Sequence, residues 1–203
     1  MTPIHPVAIT GFGPFPGMPI NPTEALVNAL AERHGPSLRA RILPTQWRVL
    51  PEVAAFASTV PVLILFGVAG TARRIRYERL SQPTAARVDA DGKLPGAAPH
   101  RRRTTRLNVP LLAQAARRQG FVVDVSGNAG SYLCNASYGA ALSTNPHALF
   151  VHVPPLQRRG PLSLDGLMAH AEWLMDVLAQ AEGSPRHGRS PKAPHTAPMR
   201  LAA

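Results

Sequence analysis

Three residues of this 203-residue chain could do covalent chemistry together: its only cysteine, Cys134, a histidine late in an apolar run, His152, and a glutamate among arginines, Glu78. Cys134 follows the apolar run Phe121-Val122-Val123-Asp124-Val125, which reads as a buried strand. The small-residue and amphipathic run Ser131 to Leu142 reads as a helix. Cys134 therefore falls in the first turn of a helix, just after the glycine-containing turn Ser126-Gly127-Asn128-Ala129-Gly130. Free N–H groups and the positive dipole end favour a thiolate there. The same groups can receive an oxyanion. Cysteine catalysis also needs a base and a group that orients it. His152 is the base candidate, because a solvated histidine would be out of place in Ala148-Leu149-Phe150-Val151-His152-Val153. Glu78 is the candidate for the third role, since it follows the turn Gly67-Val68-Ala69-Gly70. Each residue has a plainer reading. A lone cysteine is commonly a small buried hydrophobe, His152 could be a satisfied core side chain, and Glu78 could pair with Arg79 or Arg74 on the surface. Periodicity does not bring the three together.

The elements that must position them alternate in type. Val7 to Thr10 reads as a strand, followed by the Gly/Pro-rich loop Gly11-Phe12-Gly13-Pro14-Phe15-Pro16-Gly17. Asn21 reads as an N-cap, Pro22 as the first helical residue, Glu24 as a capping-box partner, and Gly35 as the stop. Leu38 to Leu43 is a strand candidate and Val49 to Ala57 a helix candidate. The continuous apolar run Val62 to Phe66 suits a central parallel strand. Ile75 to Leu80 carries Glu78, Ala85 to Asp89 is a further strand candidate, and residues 91–106 read as an exposed loop. Val109 to Gln119 and Leu164 to Ala181 read as helices. This alternation predicts an α/β fold, a mainly parallel sheet covered on both sides, with ligands at the carboxyl ends of the strands. One domain is expected over residues 1–181, followed by a basic, Pro-rich disordered tail over 182–203.

Lysine and arginine outnumber acids by 22 to 11. That excess does not make a nucleic-acid protein: residues 184–203 hold Arg186, Arg189, Lys192 and Arg200 without an acid, and the other arginines fall in short separate clusters with few interleaved aromatics. Nucleic acid is therefore not expected as a partner. No apolar run approaches membrane-spanning length and no secretory leader pattern is visible, so a cytoplasmic location is expected.

The segments that carry these features also resemble a family. They are Thr10-Gly11-Phe12-Gly13-Pro14-Phe15 with Asn21-Pro22, then Gly67-Val68-Ala69-Gly70 leading to Glu78-Arg79, then Ala129-Gly130-Ser131-Tyr132-Leu133-Cys134-Asn135, and finally Val151-His152-Val153-Pro154. In this order the chain resembles the pyroglutamyl peptidase I (pyrrolidone-carboxylate peptidase) family of cysteine peptidases. The resemblance implies an α/β/α sandwich and a triad carried by Glu78, Cys134 and His152. It implies removal of an N-terminal pyroglutamyl residue from peptides, without metal or cofactor. It assigns Phe12 and Phe15 to the aromatic loop that holds the lactam ring, and places Asn21, Val68 and Arg87 beside the substrate. Homo-oligomers are compatible with it. Val68 stands where members commonly carry glutamine, Ser131 where arginine is frequent, and Leu80-Ser81-Gln82-Pro83 loses a usual small-apolar-Asn pattern. These departures admit a second expectation, a divergent and catalytically weak binding protein on the same fold.

Overall fold

The computed structural model describes residues 4–83, 87–96 and 101–183, without the side chains of 182 and 183. In chain order the elements are β1 (Val7–Phe12), α1 (Pro22–His34), β2 (Ala40–Leu43), α2 (Leu50–Ser58), β3 (Val62–Val68), β4 (Ile75–Glu78), β5 (Leu80–Ser81), β6 (Arg103–Thr104), α3 (Val109–Arg118), β7 (Val123–Ser126), α4 (Leu133–Thr144), β8 (Ala148–Val153) and α5 (Leu164–Gly183). The main sheet has the order β2-β1-β3-β8-β4-β7. All its pairs are parallel except β4 with β8.

Strand alternation builds two cores. Val7 and Ile9 of β1, with Val62, Ile64 and Phe66 of β3, face one side and pack with α1, α3 and α5. Ala8, Leu63, Leu65 and Phe150 face the other and pack with α2 and α4. The central strands β1, β3 and β8 are mostly apolar and buried along nearly their whole length because both their faces are covered. The result is the expected three-layer α/β/α arrangement.

Helix ends explain how loops reach the site. Asn21 caps α1, with Oδ1 accepting from the Thr23 backbone N–H at 3.0 Å and from the Thr23 hydroxyl at 2.9 Å. Its partner at the cap is thus Thr23, not the expected Glu24. Asn21 Nδ2 donates to the Gly13 carbonyl at 3.0 Å, tying the loop after β1 to the helix. At Gly11 a Cβ would lie 2.4 Å from the Thr23 carbonyl oxygen, so only glycine lets β1 run so close to α1.

Three expectations change. Arg87 to Asp89 form no strand; residues 84–86 lie outside the described residues. Buried Asp89 instead accepts from the N–H groups of Trp47, Asp91 and Lys93 at 2.9 Å each. The stretch 91–106 is not wholly loop, because β6 pairs antiparallel with β5. These are two-residue strands, too short to show a period. Finally, α5 runs to Gly183, two residues past the expected boundary, and residues 184–203 of the expected tail lie outside the described residues.

Candidate active site

β3, β8 and β4 bring the candidate residues to one end and one face of the sheet. His152 pairs in register with Gly67 of β3 on one side and with Arg76 of β4 on the other. Glu78 is paired with Phe150, two residues from His152 on the same face, and that diagonal is short enough to close. Glu78 Oε1 and His152 Nδ1 are 2.8 Å apart. Glu78 is fully buried, and its second oxygen, Oε2, has no hydrogen-bond partner. A carboxylate enclosed with one partner holds the Nδ1–H tautomer and leaves Nε2 as the free nitrogen.

Cys134 is the second residue of α4 and is half-buried. The N-cap residue Tyr132 makes no side-chain capping bond, so the helix start offers backbone N–H groups to an incoming oxygen. Cys134 reaches the sheet at Gly67. A Cβ there would lie 3.0 Å from Cys134 Sγ and 2.5 Å from the Phe150 ring. Since Gly67 and His152 are register partners, the thiol sits beside the imidazole's strand position. The helix start does not, however, give a resting thiolate. Burial pushes the Cys134 thiol up to about 12, its own N–H works against that, and the Glu78 charge adds to it. Desolvation outweighs the dipole here.

A pocket of about 80 Å³ opens at Cys134, lined by Phe12, Phe15, Asn21, Thr45, Val68, Tyr132 and Leu133 as well as Cys134 itself. Drug-sized sites run to several hundred Å³, so this one suits a single small ring. Four of the five expected binding residues therefore line it. Arg87 does not. It is exposed, with its guanidinium 5.7 Å from the Tyr132 ring centroid. Sequence reading passed over Tyr132, Thr45 and Trp47. Trp47 packs edge-on against Tyr132 at 5.5 Å and donates from Nε1 to the Arg87 carbonyl at 3.0 Å. Tyr132 had a signal, two residues before the cysteine. Thr45 and Trp47 had none, because they arrive from the segment after β2. Among the described residues, no group of three or more His, Cys, Asp or Glu side chains is gathered as a metal site requires.

A sequence model described as pyroglutamyl peptidase matches residues 5–159. The chain belongs to the pyroglutamyl peptidase family. Its relatives include pyrrolidone-carboxylate peptidases. That of Halalkalibacterium halodurans is 31% identical over 166 residues, 73% of this chain and 83% of the relative. That of Thermococcus onnurineus is 32% identical over 166 residues, covering 73% and 82%. Among solved structures, pyrrolidone carboxyl peptidase from Fervidobacterium islandicum AW-1 superposes with a TM-score of 0.74 at 26% identity, over 86% of this chain and 98% of that one. The Thermococcus litoralis structure gives 0.73 at 26% identity, over 92% and 99%. As a pyroglutamyl peptidase family member, the chain carries its candidate residues Glu78, Cys134 and His152 all within the matched segment.

Proposed function

We propose that this protein is a cysteine exopeptidase that removes N-terminal pyroglutamyl residues, with Cys134 as nucleophile, His152 as general base and acid, and Glu78 as the group that orients and charges the imidazole. The observation that carries the reading is the 2.8 Å Glu78–His152 pair, buried beside the thiol and the aromatic pocket.

The pyroglutamyl ring is small, flat and uncharged, with an amide edge. Phe12, Phe15 and Tyr132 supply faces for it, and Asn21 and Thr45, both of which also donate to the Gly13 carbonyl, are the polar residues of the lining. Because the thiol is neutral at rest, its proton moves to His152 Nε2 as Sγ bonds to the pyroglutamyl carbonyl carbon. N–H groups at the start of α4 hold the developing oxyanion. The carbon–nitrogen bond then breaks, and His152 returns the proton to the leaving amine. Water attacks the thioester with His152 again taking the proton, and pyroglutamate leaves as the thiol re-forms. Glu78 favours each imidazolium stage.

Peptides are the substrates, and nucleic acid is outside this reading. Among the described residues no helix is long and apolar enough to cross a membrane. A lone cysteine used as a nucleophile suits the reducing cytoplasm, where we place the protein. The catalytic unit ends with α5, and assembly into homo-oligomers is compatible with it.

The test is release of a fluorophore from a pyroglutamyl amide by the wild type beside Cys134→Ser. Turnover by the wild type that disappears in the variant supports the reading. Retained turnover removes Cys134 from the mechanism. No turnover by either folded protein turns the reading to a non-catalytic binding protein.

A further inference from the structure

On the reading that His152 protonates the leaving amine, the second residue of the substrate begins at His152 and runs outward past the end of β8. Arg76 stands there. It is directly opposite His152 on the antiparallel strand β4, so the two side chains share a face with Cβ atoms about 5 Å apart. Glu78 holds the imidazole from two residues farther inward on β4, and Arg76 stands level with it. Arg76 is half-buried, and its Nε is enclosed with no hydrogen-bond partner. A guanidinium cannot shed its charge, so an enclosed, unanswered donor awaits an acceptor. The acids nearby are engaged elsewhere: Glu78 by His152, and Asp124 by Arg74 at 3.6 Å and Arg117 at 3.9 Å.

We infer that Arg76 forms the subsite for the residue that follows pyroglutamate, and that this subsite selects a carboxylate. The arginine fork matches a carboxylate in a way that it matches no neutral side chain. The carboxylate has two sources, an acidic second side chain or the free terminus of a pyroglutamyl dipeptide.

Four substrates and three proteins decide it. The substrates are pyroglutamyl-Glu-amide, pyroglutamyl-Gln free acid, pyroglutamyl-Gln-amide and a neutral fluorogenic pyroglutamyl amide. The proteins are the wild type, Arg76→Gln and Arg76→Lys. Wild-type kcat/KM is expected to be about tenfold higher for at least one carboxylate substrate than for pyroglutamyl-Gln-amide, chiefly through KM. Which substrate gains identifies the source. Arg76→Gln should erase that preference, so that the favoured carboxylate substrate and pyroglutamyl-Gln-amide have equal kcat/KM within the variant, and Arg76→Lys should restore part of it. Equal wild-type kcat/KM for all three peptides, with the fluorogenic amide cleaved, overturns the carboxylate subsite alone. A preference that survives in Arg76→Gln, as the ratio of kcat/KM values within that variant, removes Arg76 from it. No cleavage of any substrate overturns the peptidase reading and the subsite with it.

Discussion

The triad candidates differ in what each contributes alone. Cys134 is held neutral near pH 7, its thiol pushed up to about 12 by burial, with the charge of Glu78 adding to that. Alkylation by iodoacetamide is therefore expected to be slower than for free cysteine at neutral pH and to rise steadily with pH. Fast alkylation that levels off near pH 7 would show a preformed thiolate instead. In the same picture His152 must take the proton during attack, so losing it removes the base and the acid together. Glu78 acts through His152. We expect His152→Ala to remove nearly all turnover and Glu78→Gln to lower kcat by about 10²- to 10⁴-fold. A Glu78→Gln enzyme with full kcat would show that the buried carboxylate has no catalytic part. The residue types of this triad were legible in the sequence, but their meeting was not. Glu78 and His152 are 74 positions apart, and the bond between them depends on the antiparallel register of β4 and β8.

At the scale of elements, the site is made by strand ends and by one missing side chain. Gly67 reads in the sequence as part of a turn, yet it lies within β3 and is buried under Phe150 and Cys134. Its lack of a Cβ lets α4 come down onto the sheet beside His152. A methyl group placed there must displace the Phe150 ring or the thiol. Gly67→Ala is expected to cost about 1–3 kcal/mol of stability and to lower kcat/KM by more than tenfold through misplacement of Sγ. A thermal melt beside a kinetic assay checks both, and a variant with unaltered kcat/KM would show that the contact is not needed. Helix α1 was readable from its ends, Asn21 and Pro22 at its start and Gly35 at positive φ at its stop, whereas Asn108, whose side chain accepts from the Leu111 N–H at 3.1 Å, is a cap of α3 that sequence reading passed over. The β5–β6 pair was not readable, since its stability comes from long-range pairing and not from local pattern.

Over the whole molecule, the two sheet faces have separate duties. The face under α2 and α4 carries the chemistry, and the face under α1, α3 and α5 carries the larger apolar core. That second core contains a polar pair of its own. The Tyr77 hydroxyl is 2.6 Å from His170 Nε2, among Phe121 and Trp173, and His170 Nδ1 has no partner. Burial lowers the His170 pKa from 6.5 to about 3, so the folded protein holds it neutral. Unfolded, it takes a proton near 6.5. The unfolded state therefore binds more protons between these values, and stability, full above about 6.5, falls as pH drops toward 3. Urea midpoints measured from pH 7 to 4 should decline, and the double variant Tyr77→Phe, His170→Leu should flatten that decline. An equal decline in the double variant would place the acid sensitivity elsewhere.

The sequence by itself determined the class of fold, because alternating apolar strands and amphipathic helices can bury their surfaces in few ways. It determined the candidate nucleophile, since there is one cysteine, and the places where helices start and stop. Only the tertiary structure decided which strands are neighbours, that β4 runs against β8, and therefore that Glu78 and Arg76, two residues apart on β4, both face His152. It also decided that the thiol is neutral, because desolvation depends on everything packed around a group and not on its own helix alone. Local pattern writes the elements. Register and burial, which depend on residues far apart in the chain, make the site.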